Sequence, residues 1–67
     1  MADDREREFV EGVAVLFFHV RGTSTLHECG IACDAANDTE ETMRAYLARV
    51  RPECELDWAE IKAVPRQ

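Results

Sequence analysis

Residues 10–21, VEGVAVLFFHVR, are apolar on both alternating sets of positions. Ala14, Leu16, Phe18 and Val20 form one unbroken set. Val13, Val15 and Phe17 form the other, which runs on into His19 and Arg21. Phe9, Val13, Leu16 and Val20 also fall at helical spacing, and periodicity alone does not arbitrate a short apolar run. Branched and aromatic side chains, with glycines at 12 and 22, favour a strand. A strand apolar front and back belongs in the middle of a sheet.

Residues 21–25, RGTST, then read as a turn. Residues 26–34 follow as a second strand, hairpin-paired with the first. Alternation puts His27, Cys29, Ile31 and Cys33 on one face, and Glu28, Gly30, Ala32 and Asp34 on the other. Residues 38–51 carry the clearest helical signal. Asp38 is placed to cap the first amides and Glu41 to close a capping box. Met43, Tyr46, Leu47 and Val50 then repeat at helical spacing, with Arg44, Arg49 and Arg51 on or near the other side. Arginines in the last turn suit the negative end of the helix dipole, and Pro52 stops the helix.

Residues 55–64, ELDWAEIKAV, alternate imperfectly: Leu56 and Trp58 share a parity that Ala59 and Ile61 break. A third strand with a bulge near Trp58 accounts for this. A capping box at Asp57 and Glu60 opening a short helix is the rival, but a two-stranded hairpin with one helix makes a poor sheet. The expected fold is therefore a small α+β domain of β-β-α-β order. A right-handed crossover leaves strands two and three parallel, with strand one between them in order 2-1-3 and the helix on one face.

Length and charge narrow the function. The chain has 67 residues and reads as one domain, with residues 1–8 a charged segment prone to fray. A core this small needs support from disulfides, metal or oligomerisation. The net charge of −6, one lysine and scattered arginines argue against direct nucleic-acid binding. The apolar run at 13–18 is too short to cross a membrane, and acidic residues rather than a basic signal-peptide start precede it. The chain reads as cytosolic, with reduced thiols. Asn37-Asp38-Thr39 matches a glycosylation sequon that has no meaning there.

HECGIACD, residues 27–34, gathers a histidine, two cysteines and two carboxylates. On a strand, four residues advance about 13 Å, so Cys29 and Cys33 cannot grip one ion or bridge each other. C-x3-C with a distant Cys54 is not a zinc pattern, and the reading is of small apolar fillers facing the helix. Neither His19 nor His27 has a nucleophile beside it in sequence. Asp34, Asn37, Asp38 and Glu41 lack the glycine and spacing of a calcium loop. No catalytic residue, cofactor site or metal site is assigned.

What remains is the bare face. Val13, Val15, Phe17, His19 and Arg21 lie opposite the helix, and burying such a patch would contribute several kcal/mol at ~25 cal/mol per Å². The leading expectation is a non-catalytic interaction module using this face. It would act as a homodimer stacked sheet on sheet, or as a binder of another protein with a basic surface. One version, by analogy only, is an inhibitor presenting carboxylates where phosphates would sit. Small acidic inhibitors carried by phages or plasmids, anti-CRISPR proteins included, act in this style. The alternatives are a ferredoxin-like dimeric enzyme or ligand-binding protein using His19 or His27, and a structural zinc module. Residues 2–9 or the tail folding across the face would satisfy it within one chain.

Overall fold

The computed structural model describes residues 8–65. Its elements are β1 (Glu11–Val20), β2 (His27–Asp34), α1 (Glu40–Val50) and β3 (Cys54–Ala63). The sheet order is β2-β1-β3, with β1 antiparallel to both neighbours. This is the α+β architecture that the two apolar faces of β1 required, and the expected strands shift by only a residue or two at their ends. The expected frayed segment lies almost wholly outside the described residues, as does most of the segment considered as a cover for the open face.

The core forms where the even-numbered face of β1 meets the helix. Ala14 and Leu16 are fully buried, and they cluster with Cys33, Met43, Leu47, Cys54 and Leu56. Phe18, Val20, Ile31, Tyr46, Ala59 and Ile61 pack at its margin. Gly12 sits where a side chain has no room: a Cβ there would come within 2.6 Å of Ala35 Cβ and 2.8 Å of the Lys62 carbonyl. The turn after β1 uses Gly22 at φ +91°, a conformation other residues adopt only with strain.

Residues 57–63 are strand, and the bulge is real. Phe17 pairs with Trp58 but Phe18 pairs with Leu56, so Asp57 has no partner on β1. The extra residue returns Leu56 to the helix side with Ala59 and Ile61, which resolves the broken alternation. The Arg44 guanidinium donates to the Leu56 carbonyl at 2.8 Å, fixing α1 to the bulge.

The helix is shorter than expected, 40–50 rather than 38–51, and its cap differs. Thr39, not Asp38, is the N-cap, and Thr42, not Glu41, closes the box. Thr42 N–H donates to Thr39 Oγ1, and Thr39 N–H donates to Thr42 Oγ1. Asp38 is committed elsewhere: its carboxylate accepts from the Asp34 N–H and the Thr42 hydroxyl. Arg51 is the C-cap, leaving Arg49 in the last turn.

Candidate interaction surface

The odd-numbered side chains of β1 point away from α1. The structure places Val13, Val15, Phe17 and His19 on this second face, as alternation expected. Arg21, by contrast, lies past the end of β1 in the turn and reaches from Glu55 round to a depression on the helix side. Register adds Glu28, Gly30 and Ala32 from β2, and Trp58, Glu60 and Lys62 from β3. Among the described residues no element covers it. Val13 is 39% exposed and Trp58 41%, large values for apolar side chains in a sheet.

At the centre, the Phe17 and Trp58 rings stack with centroids 4.4 Å apart and planes 15° from parallel. Val15 and Val13 continue the apolar strip along β1, flanked on β2 by the small Gly30 and Ala32. Sequence reasoning missed Trp58 here. Its parity matched Leu56, and only the side on which the bulge falls separates the two.

The bulge also builds the polar end of the face. It turns Asp57 to His19, whose Nδ1 lies 3.0 and 3.1 Å from the two carboxylate oxygens. His19 Nε2 stands 3.4 Å from Glu55, and the Arg21 Nε donates to Glu55 at 3.2 Å. Arg21 also donates to the Pro52 carbonyl at 3.1 Å. The hydrogen bond to Asp57 holds the His19 imidazole above its ordinary value. Partial desolvation opposes this, the Asp57 and Glu55 charges add to it, and Arg21 counters it. Asp57 and Glu55 are the second group that sequence reasoning missed, since their contact depends on the same bulge.

The other expected chemistry is dispersed. His27 stacks on Phe18, centroids 5.5 Å apart, on the opposite side of the sheet from His19. Neither histidine lines the depressions beside the helix, which are walled by Arg21, Arg44, Leu47 and Leu56 at one end and by Ile31, Met43, Tyr46 and Arg49 at the other. Cys33 and Cys54 are buried in the core, and burial pushes the Cys33 thiol up, helped by Asp38 and Asp34. Cys29 is not the filler expected. It shares the helix-side parity but is exposed, because α1 packs toward β3 and does not reach the early part of β2. Among the described residues no three histidine, cysteine or acidic side chains converge as metal ligands. No helix among them is long and apolar enough to cross a membrane.

Comparison with protein-family models, curated proteins and solved structures found no match to this chain.

Proposed function

We propose that this protein is a non-catalytic interaction module that docks its open sheet face onto a larger protein. The observation that supports this reading above all is the Phe17–Trp58 stack at the centre of a face that no described element covers. Aromatic anchors inside a charged rim are the usual anatomy of a protein interface. Isolated exposed apolar residues need no explanation, but a contiguous patch does.

The rim selects the partner. Glu28, Glu55, Asp57 and Glu60 surround the stack, against His19, Arg21 and Lys62, in a chain of net charge −6. Stacking two copies on this face would crowd those carboxylates together. Charge therefore favours a basic partner over a second copy at this surface. By filling a basic groove the protein would inhibit whatever that groove otherwise binds.

The test is capture from a lysate of the native host by immobilised protein, with wild type, Trp58→Ala and Cys29→Ser compared. A specific partner is retained by wild type and Cys29→Ser, released by salt, and reduced at least tenfold on Trp58→Ala. Equal retention on all three proteins overturns the reading.

A further inference from the structure

A second surface lies along the outer edge of β2. Hydrogen bonds at the strand end fix which way its backbone groups point. The Ala35 N–H donates inward, to the Val10 carbonyl. The Asp34 groups point outward: its N–H donates to Asp38 and its carbonyl accepts from the Asn37 and Asp38 N–H groups. Direction alternates along a strand, so Glu28, Gly30 and Ala32 also aim their N–H and C=O groups outward. All three are exposed, and no described residue bonds to those groups.

The other edge of the sheet is blunted over its first half. Beyond the bulge its outward residues Ala59 and Ile61 are half-buried at the margin of the core, with no bond to their outward groups among the described residues. On β3 the Cys54 N–H donates to the Arg51 carbonyl, the Leu56 carbonyl accepts from Arg44, and the bulge follows at Asp57. Bulges, charges and covering groups are how edges are blunted against pairing. β2 has no bulge in its pairing with β1, and no proline or lysine.

We infer that two copies of this chain pair antiparallel along β2, about a two-fold axis at Gly30, into one six-stranded sheet. The unpaired stretch is centred on residue 30, so it complements itself. Gly30 meets the second copy's Gly30, and Glu28 meets the second copy's Ala32 on either side. Each of these pairs exchanges two hydrogen bonds, which satisfies every outward group from 28 to 32. No like charges face each other. A shift that set Glu28 against the second copy's Asp34 would oppose two carboxylates and meet groups already bonded.

Gly30 adds a separate sign. A Cβ there would touch only Val13 Cγ1, at an ordinary 3.7 Å, so the fold does not demand glycine at this position. Glycine inside a strand often marks the close approach of another backbone. The axis stands perpendicular to the sheet. Both helices therefore lie on one side and both Phe17–Trp58 stacks on the other, giving a two-site docking surface. The pairing itself does not rest on what the open face binds.

The test is sedimentation of the full chain over a concentration series, with amide hydrogen exchange read residue by residue. Twice the chain mass is expected, with exchange at Gly30 and Ala32 slowed about tenfold or more as the dimer fills. Gly30→Pro removes an outward N–H that no contact within the chain uses, and it is expected to sediment as a monomer while retaining the wild-type circular dichroism. Trp58→Ala is expected to stay dimeric, which separates this pairing from docking on the open face. A monomer at every concentration overturns the inference. So does a dimer whose Gly30 and Ala32 amides exchange as fast as in the dilute protein.

Discussion

Phe17 and Trp58 stack at 4.4 Å on the side of the sheet that α1 leaves bare, while Leu16, one residue away, is fully buried on the other. Neighbours in sequence thus serve different ends. Leu16→Ala removes a side chain at the centre of the core and is expected to cost about 2–5 kcal/mol. Trp58→Ala removes an aromatic pair still open to solvent, and is expected to cost about 1 kcal/mol. Urea unfolding of both variants measures the contrast. Equal losses would mean that the open face carries as much of the fold as the core.

His19 links stability to pH. Its folded-state value is raised, first by the hydrogen bond to Asp57. The stabilisation is therefore complete below the ordinary histidine value of 6.5 and is lost as pH rises through the raised one. The urea midpoint of wild type is expected to fall across that window, and that of His19→Gln to fall less. NMR titration of the imidazole checks the direction independently.

Asp34 acts at the acid end. Its value is lowered, chiefly by the Asn37 side-chain amide, with the Val10 and Ala36 N–H groups also donating to it. Its contribution is present above the unfolded carboxylate value and is lost as pH falls through the lowered one. Asp34→Asn is expected to flatten the acid limb of the stability profile.

The three thiols differ in access. Cys29 is exposed while Cys33 and Cys54 are buried, and the Cys33 thiol is held in its neutral form by desolvation. Alkylation of native protein, followed by mass spectrometry, is expected to label Cys29 first and the other two only on unfolding. Prompt labelling of Cys33 would contradict its place in the core.

The start of the helix gives a sharp comparison. Thr39→Ala removes the cap and is expected to cost about 1 kcal/mol. Glu41→Ala is expected to cost a few tenths at most, since Glu41 takes no part in the box and keeps only a first-turn charge near the dipole. Thermal melts of the two variants distinguish them.

The sequence by itself determined the elements, the strand order and which residues of β1 face the helix. Each of these follows from local alternation, and a strand apolar on both sides has one stable position in a small sheet. Tertiary structure decided the rest. Asp38 left the helix cap because the Asp34 amide competed for its carboxylate. Cys29 stayed in water because α1 leans toward β3. The bulge at Asp57 showed in sequence only as a broken rhythm. The side to which it threw Trp58, and its delivery of Asp57 and Glu55 to His19, came from the pairing of β3 against β1. Contacts between residues some forty positions apart leave no local signal, because the geometry that joins them exists only once the sheet has formed.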